Sequence, residues 1–337
     1  MERNDPSSKI KEIKQRRKNY RHYTECENEI IKTVFGKMKK YNLDNISRTK
    51  AYIDYYERNK EIYWAFLASM VSRNAGWHMT DLEGKWFPQV LSKKDRQTLF
   101  MTYERANWLI FNDAFPQLLI YQYSKQVNKP LFYLLKEFSV SAFIEAEWEI
   151  FWKDRAKKRL MEAQIINEQN IIQQPVIDNR FFKKKVFSSL NYKMQDFLHF
   201  SSVLFPSLRG ELYGFSVHDF RQLKQRILLG RKLAWLLFHE KYYHHFYSFS
   251  KQTEHTGSRY DYEQYFITKT GRQTPFLRTT FPIIHHQKPP TVDWYDKQGI
   301  QKNWYKRLPV QKNFHITEWY THKQKQLHLF IILRQLL

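Results

Sequence analysis

Only nine glycines punctuate 337 residues, about 3% against an average near 7%. Glycine supplies the left-handed backbone that many tight turns need, so a chain this poor in it reverses direction seldom. Propellers, many-turned β proteins and Gly-rich nucleotide loops are disfavoured, and long elements are favoured. Hydropathy agrees, because apolar residues recur at helical spacing over most of the chain. Hydrophobic residues at 42% and charged residues at 26% are those of a folded globular protein. The expected class is mostly α: a single large multi-helix domain with a basic N-terminal helical leader and an irregular C-terminal tail. The divisions fall at 1–41, 42–266 and 267–337.

In the leader, Ile10 and Ile13, then Ile30, Ile31, Val34 and Met38, make narrow apolar stripes beside many lysines and arginines. Asn42 to Arg48 reads as a turn, with Ser47 the N-cap of the next helix. Glu61 to Arg73 is apolar on nearly all sides, which predicts a buried helix, and Gly76 supplies its left-handed C-cap. Ser92 with Asp95 has the form of a capping box, and Pro116 fits the first turn of a further helix. Ser139 to Ile172 is long enough for one helix or for two with a break, and Pro175 ends it. Helical segments are expected at 180–191 and 193–204, broken at Phe205-Pro206. Ser216 with Asp219 then starts a helix whose stripe includes Gly230, where a neighbouring helix can approach closely. Beyond Ile267, five of the eleven prolines break the periodicity, so this segment reads as irregular and partly extended.

The N-terminus lacks the apolar core of a signal peptide, and no stretch is long enough to cross a bilayer, so a cytoplasmic protein is expected. One cysteine, Cys26, excludes an internal disulfide or a Cys-based zinc cluster. Flanked by Glu25 and Glu27, it lacks the electropositive setting of a reactive thiolate. Walker, dinucleotide, zincin and nucleophile-elbow motifs are absent, and the pairs His244-His245 and His285-His286 have no carboxylates at ligand spacing. Neither a metal nor a cofactor is expected.

The chemistry-bearing anomaly is Glu168, which shares an apolar stripe with Met161, Ile165 and Ile172. A carboxylate turned inward needs a partner, and Arg73 or Arg259 is the expected cation. The second candidate is the run His255-Thr256-Gly257-Ser258-Arg259-Tyr260-Asp261-Tyr262, a turn able to hold an anion. Its residue types also name a hydrolase triad, though proximity in sequence is no evidence of triad geometry. The candidate pocket therefore comprises Arg73, Asn74, Asp81, Glu168, His255, Ser258, Arg259 and Asp261. In both places the structural alternative, an ion pair locking helix register or a capped turn, outweighs the functional one.

Several strings resemble an uncharacterised family of bacilli, the YppC-like proteins, known only as a domain of unknown function. They are Trp64 to Trp77 with Met79 to Leu82, Ile165 to Gln169, Gln195-Asp196, Leu204 to Pro206 and His255 to Tyr262. The resemblance spans roughly 42–266 and implies no activity, so it transfers no catalytic residue.

Lysines and arginines number 56 against 33 acidic residues, a formal charge of +23, spread over leader, body and tail alike. Such a field attracts polyanions and weakens with salt. In the tail, Trp294, Tyr295, Trp304, Tyr305, Trp319 and Tyr320 alternate with basic residues, a pattern suited to stacking on nucleic-acid bases, though the alternative that the rings anchor the tail to the helical body and the lysines are solvated outweighs it. The leading expectation is a non-enzymatic binding protein for a polyanion such as nucleic acid. The alternatives are an enzyme or small-anion binder using the Arg/Glu/His pocket, and a structural or partner-binding module.

Overall fold

Burial of aromatic and aliphatic stripes drives the architecture, and capping side chains set where four of the longer helices begin. The computed structural model describes residues 6–19, 22–182, 202–268, 271–288 and 292–336. Its longer elements are α1 (Ser7–Lys18), α2 (Glu25–Tyr41), α3 (Asn45–Arg58), α4 (Tyr63–Asp81), α5 (Lys93–Gln126), α6 (Ala142–Asp154) and α7 (Lys157–Ile171). These are followed by β1 (Ser202–Pro206), β2 (Leu212–Ser216), α8 (Leu223–Leu237), α9 (Tyr243–Gln252) and α10 (Thr317–Leu336). The protein is mostly α, as the sparse glycines imply. One cluster of buried side chains runs from Ile10 and Ile13 in α1 through Trp64, Phe66, Phe111, Phe143 and Trp148 to Trp304 and Tyr320.

The starts of α2, α3, α5 and α6 follow short polar side chains. Thr24 and Glu27 form a reciprocal capping box on α2, and Ser92 caps α5 by accepting from the Asp95 amide. Asp44, and not Ser47, caps α3: its carboxylate accepts from the Ser47 amide at 2.7 Å, so the helix begins three residues early. The segment 139–172 is two helices, split where Arg155 adopts a left-handed conformation at φ 52°. Pro175 lies within a wide turn, Gln173–Ile177, that carries the chain past the end of α7.

Three expected breaks are absent. α4 runs through Gly76 to Asp81 because buried Trp77 and Met79 extend its inner stripe. Gly76 is needed for closeness instead: a Cβ there would lie 2.4 Å from Asn45 Oδ1 and 2.9 Å from the His255 ring. Pro116 sits inside the 34-residue α5. An interior proline costs about 3 kcal/mol, yet α5 buries Phe111, Phe115, Leu118 and Leu119 around it. Each such side chain contributes roughly 1.5–3 kcal/mol, so continuing the helix wins. In the tail, α10 restores a long helix after the last proline.

Elsewhere the element types differ from expectation. Residues 202–206 form a strand, paired antiparallel with β2 in the register Ser202↔Ser216, Leu204↔Gly214 and Pro206↔Leu212. The rest of the expected helical stretch, 183–201, lies outside the described residues. Ser216 closes β2, Asp219 is left-handed at φ 48°, and α8 starts only at Leu223. This ribbon is partnered on both outer edges. The Asn74 side chain accepts from the Leu204 amide at 2.7 Å and donates to the Leu204 carbonyl at 2.8 Å. On the other side, Phe314 O accepts from Gly214 N at 2.8 Å and Ile316 N donates to Leu212 O at 2.9 Å.

Gly230 behaves as its stripe implied. A Cβ on it would lie 2.7 Å from Ile165 Cγ2, so α8 and α7 touch there. Gly230→Ala is expected to cost about 1–3 kcal/mol through overpacking. Ile165→Leu, which removes the struck methyl, should recover part of that loss in the double variant. Urea midpoints measure both, and an unchanged midpoint for G230A would contradict the close approach.

Candidate functional site

The sequence-derived cluster assembles only in part. α4 bonds Asn74 to Leu204 of β1 and brings Arg73, Trp77 and Asp81 to the end of α9 and the turn that follows it. There Asp261 is the hub, accepting from Trp77 Nε1 at 3.0 Å and from the Thr256 amide at 3.1 Å. His255 Nδ1 lies 3.2 Å from the same carboxylate, and its Nε2 lies 2.8 Å from Asn45 Oδ1. Burial lowers the His255 pKa, with the Asp261 carboxylate opposing it. Ser258 turns away from His255: its hydroxyl donates to Thr274 O at 2.9 Å and accepts from the Tyr260 amide at 3.2 Å. Among the described residues no hydroxyl or thiol is hydrogen-bonded to the histidine, and the three residues do not form a triad.

Arg259 is buried beside Asp81 at 3.3 Å and Gln324 at 2.8 Å. Glu263 lies 3.1 Å from its Nε, without the alignment of a hydrogen bond. Arg73 has a different task. Its Nη2 donates to the carbonyls of Ser250 and Thr253, both at 3.0 Å, which caps the C-terminal end of α9 with positive charge. Nε and Nη1 have no hydrogen-bond partner, and desolvation lowers the guanidinium pKa to about 10.

Glu168 is elsewhere, and the expected ion pair does not form. Its carboxylate accepts from Trp64 Nε1 at 3.0 Å and Gln169 Nε2 at 3.1 Å, and among the described residues no cation reaches it. Burial without a counter-charge pushes its pKa up to about 7. The register-locking pairs use other residues: Arg48 with Glu104, Arg159 with Glu147, and Arg16 and Arg17 with Glu145.

Space separates the candidate sites. The void bounded by Asn74, Trp77, His78, Asp81 and Arg259 is about 40 Å³, room for roughly one water. A groove of about 530 Å³ between β2, α8 and α10 has no buried polar side chain in its wall. A cleft of about 460 Å³ between α5, the α6 N-terminus, the end of α7 and the 292–298 segment does have a polar floor, built on Asp113, Ser141 and Asn170. Sequence reasoning missed this cleft, because of the groups around Asp113 only Gln117 is near in sequence, four positions on in α5, while Asn167 and Lys288 come from two distant segments. The buried Gln117 and Asn167 on the α5 and α7 stripes were the available signal.

The tail aromatics turn inward. Trp294, Trp304 and Tyr320 are buried, and Tyr295, Tyr305 and Trp319 pack against the same core. They anchor the tail and do not form an open stacking platform. Charge remains outside. The formal charge is +23, and Lys11, Lys32, Lys39, Lys40, Lys302 and Lys312 are among its exposed carriers.

Among the described residues no helix is long and apolar enough to cross a membrane, and none hold a group of three metal-ligating side chains. A family described as "Protein of unknown function (DUF2515)" matches residues 40–321, which takes the likeness well into the tail. The uncharacterized protein YppC of Bacillus subtilis (strain 168) is 46% identical over 307 residues, covering 91% of this chain and 95% of that protein. No solved structure matches.

Glu168→Gln tests the uncompensated carboxylate. A native pKa of about 7 above an unfolded value near 4.5 means that ionisation destabilises the fold. The penalty is absent below the unfolded pKa, grows as pH rises, and is complete above the native one. E168Q should exceed the parent by about 1–3 kcal/mol near pH 8 and match it near pH 4, below the unfolded value. Equal urea midpoints at both pH values would show that the charge is compensated.

Proposed function

We propose that this chain, which belongs to the DUF2515 family, binds a polyanion such as nucleic acid through surface charge. The family's description states no activity, so the reading rests on one observation: a surplus of basic side chains without acidic partners, exposed on a folded helical body. Phosphate backbones release condensed counterions when such side chains neutralise them, and that release drives association without base recognition. Because the tail rings are occupied in the core, stacking contributes little, and discrimination between single strands and duplexes should be weak.

Fluorescence anisotropy with a labelled duplex and a single strand of equal length tests this reading. Affinity should fall at least tenfold between about 50 and 200 mM salt, as several phosphate contacts require. The quadruple reversal K302E/K306E/R307E/K312E, at exposed positions, should flatten the slope of log K against log salt. Absence of binding at low salt, or an affinity indifferent to salt, would remove the proposal. A strong preference for the single strand would assign the binding to stacking rings instead.

A further inference from the structure

The cleft over Asp113 has a construction that surface charge does not explain. Asp113 is 6% exposed. Its Oδ2 accepts from Asn167 Nδ2 at 2.6 Å and Gln117 Nε2 at 2.7 Å. These donors are themselves fixed, since Asn167 Oδ1 accepts from Ser141 Oγ at 2.8 Å and Trp294 Nε1 at 2.9 Å. Oδ1 has no hydrogen-bond partner among the described residues, and the carboxylate has no ion pair. Burial raises its pKa to about 6, with the Asp293 carboxylate adding to the rise and Lys288 opposing it.

At the mouth, the exposed Lys288 turns its ammonium inward and donates to Phe138 O at 2.6 Å, which leaves two of its N–H groups uncommitted. Lys297 also lines the mouth, donating to Gln174 Oε1 at 2.9 Å. Acid at the floor and base at the rim face one space of about 460 Å³, a volume typical of small-molecule sites.

We infer that this cleft binds a small zwitterion of the amino-acid type, its ammonium group on Asp113 Oδ1 and its carboxylate on Lys288. An anion alone would meet the Asp113 carboxylate at the floor. A cation alone would leave the lysines of the rim without a counter-charge. A ligand carrying both charges answers the open carboxylate oxygen and the open ammonium together through charge-assisted hydrogen bonds. The site goes beyond the polyanion reading and does not depend on it.

Isothermal titration of the full chain with glycine, 4-aminobutyrate and 6-aminohexanoate tests the assignment, with butylamine, butyrate and glucose as controls. At least one of the three amino acids should bind saturably, at least about tenfold more tightly than either one-ended control. Asp113→Asn should weaken that binding by about tenfold or more. Lys288→Gln, at an exposed position, should weaken the amino acid while leaving butylamine unchanged. Far-UV circular dichroism and a cooperative melt verify that each variant folds, and K288Q carries the test if D113N does not. The inference is overturned if no amino acid saturates at millimolar concentration. It is equally overturned if glucose binds more tightly than all three, or if K288Q binds the amino acid as the parent does.

Discussion

A guanidinium withdrawn from water has to find acceptors around its edge, and Arg259 finds them in widely separated parts of the chain. Asp81 comes from the end of α4 and Gln324 from α10, both accepting from Nη1, while Glu263 on the next turn adds its charge without a hydrogen bond. Truncating Gln324 would leave that Nη1 with Asp81 alone, a loss of about 1.5–3 kcal/mol for a hydrogen bond to a charged group. The buried Tyr262–Tyr320 hydroxyl contact, at 2.8 Å, lies beside it. The C-terminal helix is thus tied into the core by polar as well as apolar contacts, and the family match through residue 321 agrees with that.

The same constraint sorts the basic residues into two populations. Arginines, whose planar forks meet several acceptors at once, hold buried or half-buried carboxylates inside: Arg48 on Glu104, Arg159 on Glu147, Arg231 on Glu162. Arg16 and Arg17 do so from α1, gripping the fully buried Glu145 and so fastening the leader to α6. Lysines are left to carry much of the outer charge. Arg17 also reaches the wall of the Asp113 cleft, so leader, α5, α6 and tail all meet at one place.

Much of the fold was legible because it depends on periodicity. The stripe of Glu61 to Arg73, the Ser92 start and the contact at Gly230 all follow from spacing that any helix must obey. The errors share a cause as well. Gly76 and Pro116 were read as local punctuation, but burial of the surrounding aromatics outweighs the local preference of either residue. Ser202 to Pro206 is too short for periodicity to separate strand from helix. For the site, a polar residue on an apolar stripe was a sound signal that something unusual is buried, as Glu168 proved to be. Nothing in one dimension could name its partner. Trp64 answers it, not an arginine, and the partners of Asp113 lie four, 54 and about 175 positions away.

Asn74 gives the small ribbon a property that neither strand has alone. By offering one donor and one acceptor to Leu204, its amide imitates the peptide group of a third strand, while Phe314 and Ile316 occupy the opposite flank. A sheet sealed in this way offers no template on which another polypeptide could be laid down. Recognition by backbone addition is therefore closed to this ribbon, and with it one common route to edge-to-edge aggregation. Exchanging the amide for a carboxylate would set two acceptors against the Leu204 carbonyl and reopen that edge.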